Sequence, residues 1–360
     1  MGPNVGADRS KFRALALIGM VVGAIAALFA YSAGWLGSDR LTPARIVDAL
    51  SERGGDPIGH RRNHAKGICF TGIFVANGAA SALTIAPVLR AGSYRVIGRF
   101  AIATGNPTAR DATGRVRSMA IRIVAPDGQE WRSGMNSSPN FGVSTPEAFY
   151  EQTLAMRVDP KTGEPDPQAL QRFAATHPES AAFYHWAETS PWTSSFADET
   201  YNSLNAFIFV DSAHARHAVR WTMVPTVAPI YSSHAELAQL LPDFLEVDLK
   251  RRLTEGPLRW HLVVTVAAPQ DPTDDATKAW PAAREHLEAG TLVISQAEDE
   301  VAGPCRDFNY DPLVLPAGIE PSDDPLLPAR SSAYANSFDR RASEASHYAD
   351  RTVPATGAVP

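Results

Sequence analysis

Four residues near the end of the chain, Arg330, Tyr334, Phe338 and Arg341, fall at i, i+4, i+8 and i+11 and would share one face of a helix. A phenol is a poor metal ligand while neutral, and a guanidinium one turn away favours the phenolate. The same spacing also suits a helix that packs Tyr and Phe inward and leaves its arginines solvated. A second cluster, Arg61-Arg62-Asn63-His64-Ala65-Lys66-Gly67, enters an apolar strand at Ile68 to Phe70. It sets among cations the one side chain that ordinarily exchanges protons near neutrality. Alone it is equally a basic turn with a structural histidine. A third cluster, Gly134-Met135-Asn136-Ser137-Ser138-Pro139, offers an amide and hydroxyls in a loop after a strand, or merely a turn before a helix capped by Ser144 or Thr145.

The elements that must position these groups are mostly short β-branched or aromatic runs: Tyr94 to Ile102, Met119 to Val124, Ala206 to Val210, His217 to Met223 and Trp260 to Val266. Asp127-Gly128 reads as a hairpin turn. Helical patterns over Thr145 to Met156, Pro178 to Trp186 and Ser233 to Leu253 are interleaved irregularly with the strands. That favours an α+β fold, an antiparallel sheet or barrel with helices outside it, over a doubly wound sheet. Thr42-Pro43 opens an amphipathic helix that breaks at Gly54-Gly55. Gly303 to Pro328, dense in Pro, Gly, Asp and Asn, reads as an extended loop before a helix from about Ala329 to Ser346. No solenoid repeat and no Gly-rich phosphate loop is visible.

The 360 residues are 44% hydrophobic and carry a net charge of −6 without a long basic run, which argues against a nucleic-acid surface. Cys69 and Cys305 are too few for a zinc site or a disulfide framework; one bridge or two buried thiols remain open. Ala14 through Gly37 contains no charged side chain, enough to cross a hydrocarbon layer of about 30 Å, and Arg9, Lys11 and Arg13 precede it. The expected organisation is a cytoplasmic tail over 1–13, an anchor over 14–37, a folded domain over 42–346 on the periplasmic side, and a flexible tail over 347–360. A cleavable signal peptide is the alternative reading of the anchor.

In order and spacing these motifs resemble the haem catalases, and especially the small catalase-related peroxidases. His64-Ala65-Lys66-Gly67 is similar to the distal histidine motif, Arg99-Phe100 with Thr104-Gly105 to the next strand, and Asn136 to the distal asparagine. Thr277-Lys278-Ala279-Trp280-Pro281, the stretches Phe308 to Pro312 and Pro316 to Ser322, and Arg330-Ser331-Ser332-Ala333-Tyr334 match later family elements. The resemblance spans roughly residues 42 to 344. It implies a catalase-like antiparallel β-barrel core with surrounding helices, plus one N-terminal transmembrane helix, and haem b as cofactor.

The same resemblance implies Tyr334 as the iron ligand, tempered by Arg330, with tyrosine ligation being the known catalase case. His64 and Asn136 become the peroxide-handling pair, and Arg61, Arg99 and Arg341 the propionate donors. The family usually places a serine where Ala101 stands, so His64 needs another partner or is more loosely held. Asn63 replaces a valine and makes the pocket more polar. A shorter envelope than that of the large catalases leaves the haem edge easier to reach. The expected activity is therefore peroxide reduction by a small organic donor, with weak catalase activity. A hydroperoxide-converting enzyme of the allene oxide synthase type and a non-catalytic haem carrier are the alternatives. The expected assembly is a monomer or homodimer.

Overall fold

Strict alternation of side chains dictates the architecture of the strands beneath the candidate residues. Met119, Ile121 and Ile123 are fully buried, while Ala120 and Arg122 between them face the other way. The computed structural model describes residues 5–32, 40–55, 57–159 and 161–347. Parts of the expected tails and anchor, at 1–4, 33–37 and 348–360, lie outside the described residues. The chain forms two compact units, 1–46 and 47–360.

The first unit is dominated by helix α1 (Val5–Ser32). From Lys11 to Ser32 it is long and apolar enough to cross a membrane, and residues such as Phe12 and Leu28 lie open. Helix α2 (Pro43–Gly54) follows, with the Thr42 hydroxyl accepting the Arg45 amide at 3.3 Å.

The larger unit begins its sheet with β1 (Gly67–Ala76), β2 (Gly92–Ile102), β3 (Arg117–Val124) and β4 (Glu130–Asn136). The turn between β3 and β4 uses Gly128 at φ 85°, as the Asp-Gly pair predicts. Three helices intervene, α3 (Pro146–Ala155), α4 (Pro167–Thr176) and α5 (Ala181–Thr189). Then come β5 (Trp192–Thr193), β6 (Tyr201–Asn202), β7 (Phe207–Val210), β8 (Arg216–Pro225) and β9 (Tyr231–Ser232). Helices α6 (His234–Ala238) and α7 (Phe244–Glu255) precede β10 (Leu258–Val266), β11 (His286–Asp299) and β12 (Ile319–Pro321), and α8 (Leu326–His347) closes the order.

Antiparallel pairing runs β10-β11-β1-β2-β3-β4-β6-β8, and β8 pairs back onto β10, closing an eight-stranded barrel. The expected choice between sheet and barrel is thus settled as a barrel. Strands β7 and β12 extend from β8, and β5 pairs with β9 as a separate ribbon. The barrel interior is aromatic: Trp131, Trp221, Trp260, Phe70 and Phe100 are buried, with Trp131 edge-on to Trp221 at 5.0 Å.

Three expectations are corrected. The helix expected over Ser233 to Leu253 is two helices, because Pro242 cannot continue the first. Gly134 to Asn136 belong to β4 rather than to a loop. The stretch Gly303 to Pro328 contains β12 and the first turn of α8, whose start is fixed by Asp324 Oδ1 accepting the Leu326 amide at 2.9 Å. Cys69 and Cys305 form a disulfide with Cα atoms 5.3 Å apart, deciding between the bridge and two thiols.

Candidate active site

The candidate site is built on the outer face of β1 to β4, where register aligns the strands in rows. The first row reads Gly67, Ala101, Ser118, Asn136, and the second Cys69, Arg99, Ala120, Gly134. Both rows mix small residues with a few polar ones. That leaves a shallow floor, since side chains on this face stand roughly perpendicular to it.

His64 lies just before β1, in a left-handed backbone conformation with φ 55°. Its amide donates to Asn63 Oδ1 at 3.1 Å, and Arg53 Nη2 donates to the same oxygen at 3.3 Å. The Asn63 carbonyl is thus engaged in holding the His64 backbone. Ser118 Oγ lies 3.1 Å from His64 Nδ1 and donates to Asn136 Oδ1 at 2.6 Å. His64 is therefore not loosely held: Ser118 on β3 is its partner, where the expectation looked only to position 101 on β2. Burial first, then the charges of Arg99, Arg53, Arg330 and Arg61, push the imidazole down to about 3, so it is neutral at ordinary pH.

Gly67 of the first row is what admits Arg99 of the second. A Cβ on Gly67 would lie 2.6 Å from the Arg99 guanidinium carbon and 2.3 Å from the Phe100 carbonyl oxygen. Arg99 is buried and donates to Glu300 Oε2 at 2.6 Å. Arg61 pairs with the same carboxylate and donates to the carbonyls of Cys305 and Phe308, each at 3.1 Å. Arg341 donates to the Arg306 carbonyl at 2.6 Å. Desolvation and then the neighbouring guanidinium charges depress Arg61 well below its ordinary value, and burial brings Arg99 to about 9. Three guanidinium groups gathered at such cost, two of them sharing the single Glu300 carboxylate, have the chemistry to bind further carboxylates.

Helix α8 brings the remaining pair. Arg330 Nη2 donates to the Tyr334 phenol oxygen at 3.3 Å and to the Gly134 carbonyl at 3.5 Å. Arg330 Nη1 also donates to Asn205 Oδ1, and Asn205 Nδ2 donates to buried Asp324 at 2.7 Å, so the guanidinium is oriented from behind. A side chain on Gly134 would come within 4.0 Å of the Tyr334 oxygen, so its absence keeps the floor open there.

The structure brings all seven residues singled out in the sequence, Arg61, His64, Arg99, Asn136, Arg330, Tyr334 and Arg341, onto or against this part of the barrel. It adds Ser118, Glu300 and Asn205, which no local motif flagged. Their only signal is alignment across strands or proximity after folding. The Thr277 to Pro281 element meets the segment following β4, where Asn140 Nδ2 donates to the Thr277 carbonyl at 3.3 Å, and on its other side Arg220 of β8 lies over Trp280 at 4.5 Å.

The sequence pattern of the catalase family matches residues 30–353. The chain belongs to the catalase family. It is 36% identical over 301 residues to a catalase-related peroxidase of Synechococcus elongatus, covering 84% of this chain and 89% of that one. It is 34% identical over 305 residues to a catalase-related peroxidase of Mycolicibacterium paratuberculosis, covering 84% and 96%. The fold matches a fungal catalase with a TM-score of 0.73 at 18% identity, and a bacterial catalase with 0.70 at 19%. The matched region covers 88% and 89% of this chain but only 65% and 66% of those catalases. Family membership makes the protein an oxidoreductase of a peroxide-acting, haem-dependent family. The donor set fits that group: a phenol for the metal, three guanidinium groups for two carboxylates, a floor of small side chains for a flat ring, and a buried Arg99 Nε with no partner among the described residues.

Proposed function

We propose that the protein is a haem b peroxidase that reduces hydrogen peroxide or organic hydroperoxides with a small organic donor, with oxygen-evolving turnover as a minor activity. The observation that carries this reading is the His64–Ser118–Asn136 network beside the Tyr334–Arg330 pair, because a haem carrier needs no neutral base coupled to an amide. The emphasis on an organic donor rests on the two catalase-related peroxidases, whose own lengths this chain nearly spans.

Tyr334 would ligate the iron, and Arg61, Arg99 and Arg341 would hold the propionates. When bound, the haem supplies the redox chemistry of peroxide cleavage. His64, held neutral, takes a proton from peroxide and returns it to the departing oxygen, so that water leaves rather than hydroxide. Asn136, its carbonyl fixed by Ser118, directs its amide nitrogen toward the substrate. Arg330 limits the basicity of the phenolate by charge pairing and is itself held by Asn205.

We also read α1 as a membrane anchor with the catalytic domain on the periplasmic side. The charge asymmetry at its start and the Cys69–Cys305 bridge, which suits an oxidising compartment, support this. The assembly is read as a monomer or homodimer.

The decisive experiment compares optical spectra of haem-loaded wild type and Tyr334→Phe, then mixes each with peroxide in stopped flow, with and without a phenolic donor. A high-spin ferric spectrum altered by the substitution, and an oxidised species that the donor reduces, are expected. A spectrum indifferent to Tyr334 would remove the ligand assignment, and decay only with oxygen evolution would make the protein a catalase.

A further inference from the structure

Ser118 sits at the centre of the first row, with Ala101 of β2 on one side and Asn136 of β4 on the other. Its hydroxyl has one proton and two partners. The 2.6 Å contact to Asn136 Oδ1, which can only accept, takes that proton. What the serine presents to His64 Nδ1, 3.1 Å away, is then a lone pair, so Nδ1 must carry a hydrogen. In a neutral ring the other nitrogen, Nε2, is left bare. The imidazole is thus fixed at one end by its backbone, through Asn63, and at the other by a hydroxyl.

We propose that Ser118 is a positioning residue for peroxide chemistry: from β3 it locks His64 in the Nδ1–H tautomer, aims Nε2 at the substrate, and orients the Asn136 amide with the same hydroxyl. The idea rests on the reading of His64 as the base. Position 101, where the resemblance leads one to look for such a hydroxyl, holds only a methyl group, yet it stands directly across from Ser118 on the same face. A hydroxyl placed there is therefore the natural rescue. No proton travels through Ser118. Peroxide delivers its proton to Nε2 and the leaving oxygen takes it back from Nε2, while Nδ1 and Ser118 keep theirs throughout.

The test uses the full chain with 15N-labelled histidine, loaded with diamagnetic zinc protoporphyrin, to read the His64 tautomer by NMR, alongside the peroxide rate of the iron-haem enzyme. Wild type should show a protonated Nδ1 and a bare Nε2. Ser118→Ala should give mixed tautomers, slow the peroxide step by about 10- to 100-fold as loss of an orienting partner typically does, and leave haem stoichiometry unchanged. Adding Ala101→Ser to that variant should restore both signals. A wild-type protein with Nε2 protonated overturns the proposal without any variant. So does a Ser118→Ala enzyme that keeps tautomer and rate. His64→Ala separates the two claims: if it retains the wild-type peroxide rate, the base assignment itself falls, whereas a dead His64→Ala beside an unaffected Ser118→Ala removes only the role of Ser118.

Discussion

At the scale of single residues, the proposed chemistry depends on His64 staying neutral where a free histidine would charge. Its folded value of about 3 lies below the ordinary 6.5, so the unfolded chain takes up this proton first as the medium is acidified. Stability contributed by His64 is complete above 6.5 and is lost as pH falls from there toward about 3. Two outcomes are expected. The peroxide rate of the haem-loaded enzyme should hold steady through the ordinary histidine range and decline only toward pH of about 3, as read by stopped-flow pH profiles. Denaturant titrations should show a shallower acid loss of stability in His64→Gln than in wild type. A rate that halves near 6.5 would mean the imidazole titrates normally. His64 and Tyr334 could be singled out as candidates in the sequence because each sits in a short motif whose order and spacing along the chain match the family's. Ser118 and Glu300 were not legible, since a hydroxyl or carboxylate acquires meaning only from what lies across the sheet or at the end of a distant strand.

Among the secondary-structure elements, β1 and the 301–310 loop are tied by the Cys69–Cys305 bridge, which closes a span of 236 residues. The bridge is also next to the arginine cluster, because Arg61 donates to the Cys305 carbonyl. Replacing both cysteines by serine should lower unfolding free energy by about 2–4 kcal/mol in urea titration. It should also speed haem transfer to an acceptor globin. Unchanged haem release would show that the loop keeps Arg61 in place without the bridge. Strands β2, β3, β7, β8 and β10, the start of β1, and the hairpin at Asp127-Gly128 were legible from alternation and turn chemistry. Strand β11, the longest, was not: its Glu, Gly, Ser and Gln residues dilute the β-branched signal, although Leu292 and Ile294 alternate inward as a barrel strand requires. Helix α4 was missed for a related reason, being polar and short, with its start fixed by the Asp166 carboxylate accepting the Gln168 amide at 2.9 Å.

For the molecule as a whole, the reading as an anchored enzyme follows from α1, whose large apolar side chains from Phe12 to Phe29 are exposed along a run long enough to cross a membrane. In cell fractionation the full chain should stay with the membrane pellet through high salt and alkaline carbonate, and detergent should release it. Added protease should reach the catalytic domain in spheroplasts. Release by salt alone would reduce α1 to a peripheral attachment, and protection of the domain until lysis would reverse the orientation. The barrel was expected from the family resemblance alone, because in the strand pattern a closed ring and an open sheet share the same alternation and differ only in one long-range pairing, here β8 with β10.

The rows on the outer face of β1 to β4 also set a timetable. The floor and the residues proposed to handle protons lie within the stretch that ends at Asn136, but the phenol and the last guanidinium arrive with α8. If Tyr334 and Arg341 hold haem as proposed, a haem meeting the growing polypeptide early would find neither its metal ligand nor a complete grip on its carboxylates. On that reading, stable capture of the cofactor is expected to follow synthesis of nearly the whole chain. A truncation that removes only the final helix should yield a folded barrel that lets haem wash away.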